Sequence, residues 1–182
     1  MTASTDDPGR LPAPTLDGRR IRLRPATVAD RDRLREILLE PSVAQWWGPP
    51  RPAVDVADDW LEVDGDTVVF AIEHQGAVIG SVQYSEEIEP DYRHAAIDLF
   101  VATAWQGMGL GTDAIRTLAH FLFEVRGHHR LVIDPSAANE RAIAAYRKVG
   151  FVPVGVMRAY ERGPDGTFHD GLLMDLLADE LT

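Results

Sequence analysis

A short glycine-rich segment is the feature of this sequence whose spacing most clearly indicates chemistry. It spans residues 106–112, reads QGMGLGT, and lies between a predicted strand and a predicted helix. Such a loop directs several backbone N–H groups and the positive end of a helix dipole at one point, which favours binding of a phosphate. The segment is neither a Walker A motif nor the dinucleotide pattern G-x-G-x-x-G. It matches Gln/Arg-x-x-Gly-x-Gly/Ala, in which glycines let the backbone approach a pyrophosphate. The alternative is a glycine-rich connection without a ligand.

A second pattern follows about thirty residues later. Residues 139–151 read NERAIAAYRKVGF and match N-x-x-A-x-x-x-Y-x-x-x-G-F. Asn139 and Tyr146 are seven residues apart, which is two helical turns, so their side chains project from the same face of a predicted helix. The pattern therefore predicts that this face and the glycine-rich segment contribute to one site.

The elements that must position these residues can be predicted from periodicity. Alternating or continuous apolar runs predict seven strands, and apolar stripes with capping residues predict four helices. The predicted strands are 18–24, 67–74, 77–84, 93–101, 130–134, 151–159 and 168–177. The predicted helices are 28–39, 54–61, 110–125 and 139–149, while residues 43–50 are predicted to be a loop because they are rich in proline. Residues 1–15 are predicted to be a flexible tail, and residues 16–182 a single domain.

Composition excludes several classes of protein. The chain has 182 residues, 45% hydrophobic and 26% charged, which is typical of a globular domain. It has no cysteine, which excludes disulfides, thiolate metal sites and a cysteine nucleophile. The net charge of −11 disfavours nucleic acid and favours a cationic partner. The six histidines show no metal-ligand spacing. We therefore expect no bound metal. Because the sequence has no long apolar run, we also expect a cytoplasmic protein without a membrane partner.

Taken together, the two motifs resemble those of the GNAT superfamily of acetyl-CoA-dependent N-acetyltransferases, over essentially residues 17–178. Four segments, residues 43–48, 97–99, 106–112 and 134–143, are most similar to aminoglycoside 6′-N-acetyltransferases. Siderophore-type and ribosomal-protein-type acetyltransferases share several of these segments. The resemblance implies a mixed α/β GNAT fold: a mostly antiparallel twisted sheet of about seven strands, flanked by helices, with acetyl-CoA bound where the central strands splay.

The resemblance also implies the cofactor contacts. Backbone groups of strand 97–101 would bind the pantetheine arm, the glycine-rich segment would hold the pyrophosphate, and no acyl-enzyme would form. The implied cofactor-binding residues are Leu99, Phe100, Val101, Gln106, Gly107, Met108, Gly109, Leu110, Gly111, Thr112, Asn139, Ala142 and Tyr146.

Two residues are expected to be catalytic if the resemblance holds. A protonated amine needs a general base, and Asp98 is the expected one because it lies within an apolar strand beside the predicted pantetheine. Its alternative role is to bind the substrate cation, or to cap a neighbouring backbone group, without taking a proton. Tyr146 is expected to donate a proton to the departing thiolate, and its alternative role is that of a core aromatic.

Acceptor binding is expected to use carboxylates and aromatic rings. The expected residues are Trp46, Trp47, Glu87, Asp98 and Asp134. Asp134 follows a buried strand and so ranks above the acidic run Glu86, Glu87, Glu89 and Asp91, which a solvated loop would also explain. The two tryptophans would stack on sugar rings, or alternatively cap the core.

The expected function is therefore acetylation of the 6′-amine of an aminoglycoside, which produces antibiotic resistance. One alternative is acetylation of another cationic amine, such as a polyamine, a siderophore precursor or a protein N-terminus. Another is a non-catalytic acyl-CoA-binding module. The partner is expected to be a cationic small molecule, and the protein a monomer or a homodimer.

Overall fold

A computed structural model describes residues 13–47, 61 and 67–182 of the chain. Within these ranges the strands form one sheet, in the order β1-β2-β3-β4-β5-β6-β8-β7. The strands are β1 (Leu16–Asp17), β2 (Arg22–Pro25), β3 (Thr67–His74), β4 (Ala77–Glu87), β5 (His94–Val101), β6 (Arg130–Ile133), β7 (Val152–Arg162) and β8 (Phe168–Leu177). The α-helices are α1 (Arg31–Leu38), α2 (Pro41–Trp47), α3 (Leu110–Glu124) and α4 (Glu140–Arg147). Short 3₁₀ turns occupy Val28–Asp30, Thr103–Trp105 and Ala178–Glu180.

The sheet is mostly antiparallel, as predicted, and β5 with β6 is its parallel pair. The predicted hairpin is confirmed: Thr67 pairs with Ser85, and the strands meet at Gln75 and Gly76. Both turn residues have positive φ, 50° and 79°, which is the geometry of a two-residue turn that matches the twist of the strands. The predicted tail lies outside the described residues except for 13–15, and predicted helix 54–61 lies outside them except for residue 61.

The core packs α3 against one face of the sheet. Leu110, Ala114, Leu118 and Leu122 repeat every four residues along α3 and are fully buried with Ile97 of β5. In a second cluster of buried apolar side chains, α1 and α2 pack against Phe100 of β5. Because both faces of β5 are covered by helices, this strand lies at the centre of the molecule. Within the described ranges, no helix is both long enough and apolar enough to cross a membrane.

Strands β5 and β6 separate soon after they pair. Their register is Ala95 with Leu131 and Ala96 with Val132. Strand β5 continues to Val101, whereas β6 ends at Ile133. The sheet therefore opens between these two strands, at the level where β5 carries Asp98.

Two sequence predictions about local structure were wrong. Residues 43–47 belong to helix α2 because Pro41 stands in its first turn, where a fixed φ suits a helix and the missing N–H costs nothing. The prolines on which the loop prediction rested, Pro49 and Pro50, follow that helix in the sequence. Strand β4 extends to Glu87, so Glu86 and Glu87 belong to a strand and not to a loop.

The predicted first strand is divided in two, which explains the eighth strand. The backbone N–H groups of Arg19 and Arg20 donate to the Asp113 carboxylate of α3, at 3.2 and 2.7 Å. These bonds hold the chain in a turn between β1 and β2. The Gly18 N–H closes the turn by donating to the Ile21 carbonyl at 2.8 Å.

Candidate active site

The glycine-rich segment forms the connection from β5 to α3. Gly107 and Gly109 have φ of 76° and 78°, in the left-handed region that a Cβ disfavours. Gly109 is the N-cap of α3, and its carbonyl accepts the first helical bond, from the Asp113 N–H at 3.0 Å. The amides of the first turn of α3 therefore have no helical acceptor, and the positive end of the helix dipole lies at this loop.

Gln106 holds the segment in place. Its Nε2 donates to the Val101 carbonyl at 2.7 Å, and its Oε1 accepts from Arg141 Nη1 at 2.8 Å. The side chain thus links the end of β5 to α4. It also brings the Arg141 guanidinium beside Gly107, where a Cβ would lie 3.6 Å from Nη2. This cation was not among the predicted site residues, although its place in the first turn of the motif helix was visible in the sequence.

A cleft of about 450 Å³ opens along this loop and the splayed end of β5. Its wall includes every predicted cofactor-binding residue except Met108. These residues are Leu99, Phe100, Val101, Gln106, Gly107, Gly109, Leu110, Gly111, Thr112, Asn139, Ala142 and Tyr146. Met108 is 45% exposed, and its carbonyl accepts from Arg20 Nη1 at 2.8 Å. Ser42, Trp105, Arg141 and Lys148 also line the cleft and were not predicted.

A second cavity of about 140 Å³ adjoins the cleft. The two share Trp46, Trp47, Leu99, Asn139 and Tyr146. The remaining wall of the second cavity is formed by Asp98, Ile133, Asp134, Pro135, Ser136 and Glu161. The arrangement separates a long cleft beside a phosphate-binding loop from a small acidic chamber, and Tyr146 lies where they meet.

Asp98 is half-buried on β5, at the point where the sheet opens. Continuing the parallel register from Ala96 and Val132 by two residues places Asp98 opposite Asp134. Burial, together with the negative charge of Asp134, raises the pKa of Asp98 to about 6. Gln83 Nε2 lies 3.4 Å from the Asp98 carboxylate and opposes this rise. A carboxylate with such a pKa is mostly ionised at neutral pH, yet basic enough to take a proton.

Tyr146 projects from α4 and is 8% exposed. Its ring packs at a tilt on Phe151, with centroids 6.2 Å apart. Burial, and after it the charges of Asp98 and Asp134, raises the pKa of the Tyr146 hydroxyl above its usual range. The hydroxyl therefore stays protonated and can serve as a proton donor. The packing on Phe151 shows that the residue belongs to the core as well as to the cleft.

Asn139 and the two tryptophans each combine a structural contact with a place in the site. Asn139 caps α4, because its Oδ1 accepts from the Ala142 N–H at 3.1 Å. Trp47 meets Phe100 edge to face, with ring centroids 5.7 Å apart. Trp46 and Trp47 both project from α2 into the walls of the cleft and the chamber. The two interpretations of the tryptophans, ligand contact and core packing, are thus compatible for Trp47.

The structure separates Glu87 from the other predicted acceptor residues. Glu87 is exposed at the end of β4 and is absent from the walls of both cavities. It lies four residues beyond Gln83, the strand partner of Asp98, which corresponds to about 13 Å along β4. Its neighbour Glu86 is engaged elsewhere, with Arg126 and His128 at 2.7 Å each.

Strand β7 supplies two residues that sequence reasoning missed. Glu161 lines the acidic chamber, and interaction with Asp134 raises the pKa of the Tyr160 hydroxyl to about 12. The predicted strand ended at Ala159 and gave no indication that its continuation reaches the site. Across the residues that the structure describes, no group of three His, Cys, Asp or Glu side chains is arranged to hold a metal ion.

Known proteins are similar to this chain in sequence and in fold. The family model of the acetyltransferase (GNAT) domain matches residues 20–152. Aminoglycoside N(6′)-acetyltransferase type 1 of Klebsiella pneumoniae is 31% identical over 164 residues, covering 80% of this chain and 79% of that protein. Spermidine N(1)-acetyltransferase of Escherichia coli strain K12 is 29% identical over 135 residues, covering 72% of each. A solved structure of AAC(6′)-Ib with paromomycin and acetyl-CoA has a TM-score of 0.73 and 29% identity, covering 88% of this chain and 95% of that one.

Proposed function

Because the chain belongs to the GNAT acetyltransferase family and is thus an acetyl-CoA-dependent N-acetyltransferase, we propose that it acetylates the 6′-amine of an aminoglycoside antibiotic. The family expected from the two sequence motifs is confirmed. The observation that carries the proposal about the acceptor is the acidic chamber beside Tyr146. It is lined by three carboxylates, Asp98, Asp134 and Glu161, and by two tryptophans. Carboxylates suit the ammonium groups of an aminoglycoside, and indole rings suit its sugar faces.

The cleft suits coenzyme A in its donor chemistry. The free amides at the start of α3 suit the pyrophosphate, and Arg141 and Lys148 supply positive charge in the same wall. The splayed part of β5, through Leu99 and Val101, offers backbone groups to an extended pantetheine arm. When bound, acetyl-CoA supplies an acetyl group activated as a thioester.

Asp98 acts as the general base in this proposal. Its carboxylate takes a proton from the acceptor ammonium, which leaves a neutral amine able to form the new C–N bond with the acetyl carbon. The raised pKa of Asp98 favours this transfer, because a more basic carboxylate holds the proton better. Asp134, across the opening of the sheet, binds the acceptor cation and keeps the chamber negative.

Tyr146 acts as the general acid. When the carbon–sulfur bond breaks, the Tyr146 hydroxyl donates its proton to the sulfur, and the released product is a free thiol. Formation of the amide removes a second proton from the nitrogen, and this proton replaces the one that Tyr146 gave up. The proton that Asp98 holds leaves to solvent before the next turnover, so that protons balance. The chamber is lined by both residues, which suits a direct transfer within one ternary complex.

A polyamine is the second candidate acceptor. The similarity to the Escherichia coli spermidine acetyltransferase favours it, at nearly the same identity as the aminoglycoside relative. Spermidine is also polycationic and suits the same carboxylates. It lacks sugar rings, so it gives the two tryptophans no comparable partner.

The proposal is tested by measuring thiol release from acetyl-CoA with kanamycin, tobramycin, spermidine and a basic N-terminal peptide, at matched concentration and salt. We expect efficient turnover with the two aminoglycosides alone. Turnover with spermidine or with the peptide alone would overturn the aminoglycoside proposal and leave the family assignment intact.

A further inference from the structure

We propose that Glu161 on β7 determines acceptor specificity: it pairs with a second cationic group of the acceptor, and a backbone bulge held by Asp170 sets its position. The inference rests on the proposed function only in requiring an acceptor with more than one ammonium group. Glu161 selects polycationic acceptors, whether aminoglycoside or polyamine, over amines with a single charge.

The bulge is defined by the pairing of β7 with β8. Met157 pairs with Gly171 and Glu161 pairs with His169, so the three residues 158–160 lie opposite Asp170 alone. Two extra residues are therefore accommodated in β7, which bends the strand and re-aims the side chains that follow. A regular strand of the same length would place the Glu161 side chain at a different position relative to the chamber.

Ala159 carries the strain of the bulge. Its φ is 49°, in the left-handed region that residues with a Cβ rarely adopt. The Ala159 N–H donates to Asp170 Oδ1 at 2.8 Å, and this bond holds the backbone in that conformation. The Asp170 carbonyl accepts from the Ala137 N–H at 2.8 Å, which ties the bulge to the loop that follows Asp134.

The consequence of the bulge is that Glu161 reaches the chamber, with Tyr160 packed beside it on β8. The Tyr160 ring lies over Gly171, where a Cβ would approach ring atom Cδ1 to 2.8 Å, so glycine leaves the room that the ring needs. Interaction with Asp134 raises the pKa of the Tyr160 hydroxyl to about 12. Glu161 follows directly and lines the chamber wall with Asp98 and Asp134.

Glu161 is the carboxylate of this group that is left to bind a ligand cation. Among the described residues it has no ion pair, and its strand partner His169 bonds instead to Asp165 at 2.9 Å. Asp98 is assigned to the proton of the reacting amine and Asp134 to binding that amine as a cation, so Glu161 remains for a second cationic group. A second ammonium of the acceptor would give Glu161 the charge-assisted hydrogen bond that its surroundings lack.

The direct test compares two acceptors on the wild type and on Glu161→Gln. One is tobramycin, and the other is methyl 6-amino-6-deoxyglucopyranoside, which presents an amine on a sugar ring without a second cation. We expect Glu161→Gln to raise the KM for tobramycin about tenfold or more, with kcat within about twofold, and to leave kcat/KM for the monoamine unchanged. Glu124→Gln, an exposed change on α3, is the matched control and should change neither acceptor.

The role of the bulge is tested at Asp170. Asp170→Asn keeps an oxygen that can accept from the Ala159 N–H, whereas Asp170→Ala removes it. We expect Asp170→Ala to reproduce the KM increase for tobramycin with the monoamine unaffected, and Asp170→Asn to retain wild-type behaviour. Coenzyme A affinity measured on each variant shows that the cleft is still folded.

Equal losses with both acceptors in Glu161→Gln, or no loss with either, would overturn the assignment of Glu161. Identical behaviour of the two Asp170 variants would overturn the role of the bulge. If the wild type acetylates spermidine and not tobramycin, the aminoglycoside proposal fails while this one is still tested, with spermidine and propylamine as the acceptor pair.

Discussion

Replacing Asp98 by Asn should make the protein more stable at neutral pH and nearly inactive. The pKa of Asp98 rises from a usual value of 3.8 to about 6, chiefly because the carboxylate is buried. A raised carboxyl pKa means that the folded state binds the proton more tightly than the unfolded chain does. The cost of the raised pKa therefore grows as the pH rises from about 4 to about 6, is fully present above pH 6, and is absent where the carboxyl is protonated in both states.

The size of the effect follows from the shift. A difference of about two pKa units corresponds to roughly 3 kcal/mol at pH 7, and it decreases to roughly 0.5 kcal/mol at pH 4. Asn is neutral at every pH and avoids this cost. We therefore expect Asp98→Asn to raise the free energy of unfolding by roughly 2 to 3 kcal/mol at pH 7 and by little at pH 4.

Urea denaturation of both proteins at pH 4, 5 and 7 measures the difference directly. In parallel, kcat/KM of the wild type should fall below pH 6 as Asp98 becomes protonated. The variant should lose this fall of kcat/KM below pH 6, and its kcat should be about 10²- to 10⁴-fold lower than that of the wild type. A variant that is less stable than the wild type at pH 7, or a difference that does not depend on pH, would refute the reasoning about burial. Retained turnover would instead leave Asp98 as a ligand of the substrate cation, the alternative raised from the sequence.

Three further predictions concern the cleft. Tyr146→Phe should lower kcat by about 10²-fold without weakening coenzyme A binding, since only a proton donor is removed; an unchanged kcat in steady-state assays would reduce Tyr146 to core packing. Gly109→Ala should lower the free energy of unfolding by about 1 to 2 kcal/mol in urea denaturation, because its φ of 78° disfavours a Cβ. Gly155→Ala, where a Cβ meets nothing within 4 Å, is the control, and equal losses would contradict the argument. Arg141→Ala should raise the KM for acetyl-CoA about tenfold, because it removes both a cation and the bond to Gln106. A change in the acceptor KM alone would count against this placement.

Local patterns were sufficient to predict the elements that form the cleft. The hairpin turn at Gln75 and Gly76, the glycine-rich segment and the helix that starts after Asn139 all depend on residues close in sequence. Positive φ, helix capping and apolar periodicity act over a few residues, so one sequence displays them directly. Met108 was also predicted to bind the cofactor, but it is exposed in the loop and does not line the cleft.

The acidic chamber depends on contacts between distant segments. Whether Glu161 reaches the chamber is decided by a bulge that exists because Asp170, eleven residues from Ala159, accepts its N–H. No alternation of polar and apolar residues reveals two extra residues in a strand. Helix α2 was missed for a related reason, because the composition of the following segment outweighed the favourable position of Pro41. The parallel pairing that brings Asp98 opposite Asp134 is likewise a property of the assembled sheet.

The most direct test of the proposed function is a comparison of neomycin B with paromomycin I. The two aminoglycosides differ at the 6′ position, where the first carries an amine and the second a hydroxyl. With acetyl-CoA and purified protein, we predict that mass spectrometry finds one added acetyl group on neomycin B and none on paromomycin I, which should bind as an inhibitor. Equal acetylation of both would contradict modification of the 6′-amine, and acetylation of neither under conditions where spermidine reacts would assign the enzyme to polyamines.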